Sequence, residues 1–333
     1  LLFIYKFLTL IDDVYWFSDF GDDGYFVKEA LNNEFRLADF YPNNLLIKIG
    51  FYFSESVYFS IFLYHIFVFC IALLNFSLLT KLSNKPIITL VAILTCSDFW
   101  FTSHYVMRDQ FILLCISFFL LNFNKLKKKG KISLVLITAL MRPFALLFLY
   151  LGRIKKIQPI IVILSVLGLI YVSDFQNEVL SYLINPGHSI ANGEFDAKSV
   201  LENRFNSDGS NNQPFIIKFL KTFTRPLSLH NPTRSIISNN GYSNMVTTRT
   251  SISSDIIFQN VGALLNVLYL PILCFAILKG FYKKNIISFS LILGFVLLSI
   301  LSFGQQRHSL MLLPYEMILL STINFKNKYG FLR

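Results

Sequence analysis

Long apolar runs separated by short polar punctuation organise this chain. Runs such as 56–80, 157–173 and 256–279 approach or exceed the roughly 20 residues that a helix needs to cross about 30 Å of hydrocarbon. Residues 86–123 read as a hairpin of two short helices, and 286–303 with 309–323 as a second hairpin turning at Gly304-Gln305-Gln306-Arg307-His308. The pattern predicts an all-α polytopic transmembrane bundle of about nine or ten membrane segments. Its expected divisions are N-terminal helices over 1–173, a large extracytoplasmic loop over 174–255, and C-terminal helices over 256–333.

The opening run, Leu1 to Ile11, is too short to span, and it reads as the end of a truncated first helix. Residues 12–55 then read as an acidic outer segment, in which Tyr25, Phe26, Ala30 and Leu31 share one face of a helix over Gly24–Phe35 suited to a bilayer surface. The run 132–151 is anomalous, because both ends are basic yet it has room for one ordinary span. Its middle reads Met141-Arg142-Pro143. Proline removes a helix donor and restricts the residue before it, so a broken, re-entrant or two-half-helix element is expected. One ordinary span that breaks the charge rule is the alternative. In 174–255 the Asn/Ser/Thr-rich middle and Pro186-Gly187 predict partly irregular structure.

Charge orients this pattern. The stretches 81–85, 124–131, 152–157, 279–285 and 324–333 hold 16 of the 30 Lys+Arg and none of the 19 Asp+Glu, which marks them as cytoplasmic. Eighteen carboxylates lie instead in 12–55, in the turn around 98–109, or in 174–255, with Glu316 alone inside an apolar run. The net charge of +11 is therefore a topology signal rather than a nucleic-acid footprint. Composition agrees, since 54% hydrophobic residues with 36 Phe leave too little polar surface to cover a soluble domain of this size. All four cysteines fall in apolar runs, no Cys/His spacing resembles a zinc site, and no nucleotide-binding loop is present. No metal or cofactor is expected.

The predicted topology places Asp22 and Asp23, Asp98, His104, Arg108 and Asp109, and Arg307 and His308 at one outer membrane–water boundary, with Lys218, Lys221, Arg225 and Arg234 of the large loop beside them. Carboxylates serve as general bases, and guanidinium forks suit phosphate or pyrophosphate oxygens. Blander roles compete at each position: solvated turn acids at Asp22-Asp23, a helix N-terminal acid with a snorkelling cation at Arg108-Asp109, and a turn cap at Arg307-His308. Arg142 is harder to dismiss, because a guanidinium deep in an apolar run is costly. His65 reads as a core residue, and Glu316 as a structural partner for a buried cation.

The stretches GDDGYFVKEALNN, YPNNLLIKIG, MRDQFILLCISFFLL, ALMRPFALLFLYL and GQQRHSLMLLPYEMILL together resemble GT-C-type membrane glycosyltransferases and the bacterial O-antigen and capsule repeat-unit polymerases. The resemblance covers most of the chain as an arrangement and implies a bacterial inner-membrane protein of cell-envelope polysaccharide synthesis. For GT-C enzymes it implies a polyprenyl-phosphate sugar donor and a catalytic first-loop carboxylate, here Asp22 or Asp23. For polymerases it implies arginines on an undecaprenyl diphosphate, here Arg108, Arg142, Arg225 or Arg307. Polymerisation is the preferred expectation, with Asp22, Asp23 and Arg142 as catalytic candidates and Arg108, Asp109, Arg225, Arg307 and His308 as substrate-binding candidates. Expected partners are a polyprenyl-linked oligosaccharide, membrane lipid and, for a polymerase, a chain-length regulator protein. The alternatives are a GT-C monosaccharide transferase, a transporter or flippase for lipid-linked oligosaccharide, and a non-catalytic scaffold or His-centred acyl transferase.

Overall fold

The computed structural model describes residues 42–96, 99, 108–142, 145–151, 215–224, 250–301 and 306–322. Among them the structure is all-helical and contains no strand. In chain order the helices are α1 (Pro42–Ser54), α2 (Val57–Ser83), α3 (Pro86–Thr95), α4 (Asp109–Asn122), α5 (Lys128–Met141), α6 (Ala145–Tyr150), α7 (Phe215–Thr224), α8 (Thr250–Tyr282), α9 (Ile286–Leu301) and α10 (Leu313–Ser321). A 3-10 segment, Gln306–Leu312, leads directly into α10.

Local chemistry sets several of these boundaries. Ser56, in extended backbone, caps α2 by accepting from the Phe59 amide at 3.4 Å. At the other end Asn84 adopts a left-handed conformation (φ 53°) that ends α2. Pro86 then starts α3 at the position where a missing amide proton costs nothing. The predicted break in 132–151 is present: α5 ends at Met141, Arg142 is extended (φ −162°, ψ 104°), and α6 begins at Ala145. An extended residue before proline is the conformation that the proline ring enforces.

Two helical stretches, Phe59–Ser83 in α2 and Leu264–Tyr282 in α8, are long and apolar enough to cross a membrane. Only 39% and 33% of their most apolar windows are buried, whereas the core helix of a soluble protein hides most of its surface. Leu264, Val267, Leu268, Phe275 and Leu278 are exposed on α8. Among the described residues, four further apolar stretches, Pro86–Thr95, Asp109–Asn122, Ile286–Ser299 and Ser309–Ser321, are shorter, between 10 and 17 residues.

The expected outer segment 12–55 is described from residue 42 onward. Residues 42–54 form α1, joined to α2 by Glu55 and Ser56, and Gly50 lies against Ser60 at the same distance from that connection. The two helices are thus an antiparallel hairpin. Ile47 is buried and Gly50 faces the seam, whereas Leu45 and Ile49 remain exposed. The amphipathic stretch over Gly24–Phe35 lies outside the described residues.

The lower-numbered end of α3 meets the far end of α10, where the Lys85 ammonium donates to the Leu320 carbonyl at 3.2 Å. Gly280 sits beside Ser288 and Leu319, and Ser290 donates to the Leu151 carbonyl at 2.8 Å. These contacts gather four chain positions at one end of the bundle: the 81–85 turn, the 279–285 turn, the residue entering 152–157, and the end of α10 that leads toward 324–333. A positive side chain near the carbonyls that end a helix is also favourable to its dipole.

Helices α8 and α3 cross closely, since a Cβ added at Gly262 would collide with the Leu94 carbonyl oxygen. Gly130 in α5 is different, its nearest atom being the Leu126 Cδ2 at 3.4 Å from such a Cβ. Gly262→Leu should therefore destabilise the detergent-purified chain by about 1–3 kcal/mol through overpacking. Gly130→Ala should stabilise it by roughly 0.5–1 kcal/mol through helix propensity. Thermal unfolding of both variants checks the contrast, and equal midpoints would refute the α3–α8 crossing.

Candidate functional site

The break after α5 places three charged side chains together. Arg142 ends α5, and its Nη1 meets Asp109 Oδ1 at 3.1 Å. Arg108 immediately precedes α4, and its Nη1 donates to the Met141 carbonyl at 2.7 Å. All three residues are buried, with relative exposures of 6% for Arg108, 2% for Asp109 and 6% for Arg142. Asp109 opens the 14-residue α4, where its negative charge opposes the positive end of the helix dipole. Its pairing with Arg142 joins two segments 33 residues apart.

A second polar set holds the first turn of α4 in place. Asn75 of α2 donates to both the Gln110 carbonyl (2.9 Å) and its side-chain oxygen (2.8 Å). The Gln110 amide in turn donates to the Phe99 carbonyl at 2.8 Å. Alongside, the Phe67 and Phe111 rings stack with centroids 6.3 Å apart. The start of α4 therefore packs between Phe67 and Asn75, near the middle of the 27-residue α2. Arg108 and Asp109 are thus buried at that level of α2.

Other candidates take different positions. The 3-10 segment that carries Arg307 and His308 packs against α4, α6, α7, α9 and α10, although these two side chains lie outside the described residues. Asp22, Asp23, Arg225, Asp98, His104 and Arg234 also lie outside them. Glu316 is fully buried in the first turn of α10 and accepts from the Tyr269 hydroxyl at 2.5 Å. His65 is buried, with its ring edge-on to Tyr64 at 5.8 Å.

Two features escaped the sequence reading. One is the Asn75–Gln110 clamp, since a single Asn inside an apolar run and a Gln after Asp109 carry no periodic signal. The other is α7, a docked helix inside the stretch read as the large loop. Phe223 packs edge-on against Phe295 of α9 at 5.1 Å, Phe219 stacks on Phe223 at 5.8 Å, and Asn266 donates to the Thr224 carbonyl. The spacing of Phe215, Phe219 and Phe223 at i, i+4 and i+8, with Lys218 and Lys221 away from them, was the available clue. Arg225, a binding candidate, follows the anchored Thr224 directly in the chain.

Chemically, the arrangement is a basic centre in an apolar surrounding, with a carboxylate already inside it. Such a centre suits an oxyanion, and guanidinium groups can hold phosphate oxygens in fixed geometry. Comparison with protein-family models, with curated proteins and with solved structures finds no match to this chain.

Breaking a buried ion pair from one side leaves an uncompensated charge and costs about 3–5 kcal/mol. Arg142→Gln and Asp109→Asn should each destabilise the chain in that range, and the double variant should lose far less than their sum. A double-mutant cycle from chemical unfolding in detergent measures this coupling. Additive losses would mean that the two side chains do not support each other.

Proposed function

We propose that this chain is a multi-pass protein of a bacterial inner membrane that polymerises or transfers polyprenyl-phosphate- or diphosphate-linked sugars on the extracytoplasmic face. The observation that carries the reading is the buried Arg108–Asp109–Arg142 centre at the α5–α6 break, with the 3-10 segment bearing Arg307 and His308 packed against α4 and α6. In this reading the arginines hold the phosphate oxygens and stabilise the negative charge that develops as the lipid carrier departs. A carboxylate, for which Asp22 and Asp23 remain the candidates, accepts the proton of the acceptor hydroxyl. The lipid tail stays in hydrocarbon along exposed apolar faces such as that of α8.

The orientation is supported by the gathering of the 81–85 and 279–285 turns, Leu151 and the end of α10 at one end of the bundle. Four acid-free basic stretches lie at or next to these positions, as a cytoplasmic face requires. Stretch 174–255 then falls on the opposite face, with α7 as its anchor on the bundle.

One observation favours a second reading. Charged groups at a helix break, packed near the middle of a spanning helix, are the arrangement that transporters use for substrate sites. A flippase for lipid-linked oligosaccharide would use the same arginines on the same phosphate without cleaving a bond. Polysaccharide chain length in cells separates the two. Under polymerisation, Arg142→Ala or Arg307→Ala abolishes long chains and leaves single repeat units displayed at the surface. Under the flippase reading the same variants display no repeat units, and normal chain length in both variants sinks both readings.

A further inference from the structure

The most distinctive feature of the basic centre is that it already holds an anion of its own. Asp109 is the first residue of α4, so its carboxylate sits where the amide groups of that helix's first turn would favour an oxyanion. It meets Arg142 through an Nη1–Oδ1 contact of 3.1 Å, longer than the 2.7–2.9 Å of a tight charge-assisted bond. Arg108 is the neighbour of Asp109 in sequence, and it is held to the Met141 carbonyl rather than to the carboxylate. The carboxylate thus meets the guanidinium at the end of α5, while that of Arg108 ties the start of α4 to the same end of α5, and all three residues are buried.

We infer that Asp109 is an internal placeholder, a carboxylate that occupies the phosphate seat at Arg142 until a phosphate oxygen displaces it. The inference rests on the reading above, that this centre binds a phosphate or diphosphate, and adds which group that phosphate exchanges with. Without a substrate, Arg142 in an apolar interior requires a negative neighbour, and Asp109 supplies it. A phosphate group carries more charge and more acceptor oxygens than a carboxylate, and guanidinium geometry matches it. The exchange needs only rotation of the short Asp109 side chain, because Asn75 and Phe99 hold the following residue, Gln110, and so anchor the backbone. Asp109 is in this role a positioning residue for Arg142. No covalent step is involved.

The test measures binding to the full chain, purified in detergent, by calorimetry. Inorganic pyrophosphate is one probe and a long-chain alkyl monophosphate the other, so that free phosphate and lipid-borne phosphate are distinguished. Wild type is expected to bind at least one probe, Arg142→Gln to lose that binding, and Asp109→Asn to bind at least about tenfold more tightly, because the competing carboxylate is gone. If wild type binds in an Arg142-dependent way but Asp109→Asn binds equally or more weakly, the placeholder role is overturned and the phosphate reading stands. If no probe binds to wild type or to Asp109→Asn, or if binding survives Arg142→Gln, the phosphate reading fails and the placeholder role goes with it. Should Asp109→Asn not fold, infrared difference spectra of wild type provide the same decision. A carboxylate band that shifts when the probe binds, and that moves to the glutamate position in Asp109→Glu, supports displacement, and unmoved carboxylate bands while the probe binds overturn it.

Discussion

Burying Arg142 is the constraint around which the neighbouring structure is arranged. A guanidinium inside an apolar bundle is tolerable only with a negative partner at contact distance, and Asp109 provides one at 3.1 Å. That requirement forces the end of α5 against the start of α4. Arg108 reinforces the junction by taking the Met141 carbonyl, one of the groups that a helix leaves without an internal partner where it stops. The proline that follows Arg142 disfavours a continuous helix there, and α5 stops at Met141. One tripeptide thus creates both a costly charge and a broken helix, and neighbouring polar groups accommodate both.

A wider set of buried polar contacts ties the short helices to this junction. Tyr315 donates to the Phe148 carbonyl in α6, Tyr269 to Glu316, and Ser290 to Leu151 just beyond α6. α10 is thereby linked to the helix after the break and to the long α8. The 3-10 segment that precedes α10 inherits a defined position beside α4 and α6. Each of these bonds satisfies a buried polar group while fixing how two helices meet. Close approaches at Gly262 and Gly280 serve the same end by letting backbone or small side chains meet directly.

Much of this was legible in the chain because it depends on local chemistry. Pro86, Asn84 and Pro143 act on their own backbones, and the structure shows a helix start, a left-handed cap and a helix break at or beside them. The basic stretches were readable for a different reason, since a charge avoids hydrocarbon whatever the fold. Asp109 was readable as a helix-opening acid next to an arginine. What could not be read was its partner, because Arg142 lies 33 residues away and nothing in either local pattern specifies the other.

By itself, then, the sequence determined which stretches are apolar helices, where their backbones must stop, and which short turns share a basic character. Each follows from propensity, proline geometry or transfer cost, and each acts within a few residues. Tertiary structure alone decided that α1 folds back on α2, that α7 docks on α9, and that Asn75 clamps Gln110 near the middle of α2. It also decided that Arg108 and Asp109 are buried. These outcomes depend on which apolar surfaces meet, and apolar surfaces of similar size are nearly interchangeable. Helix length and the need to partner each buried polar group select among them, and the partners come from distant parts of the chain.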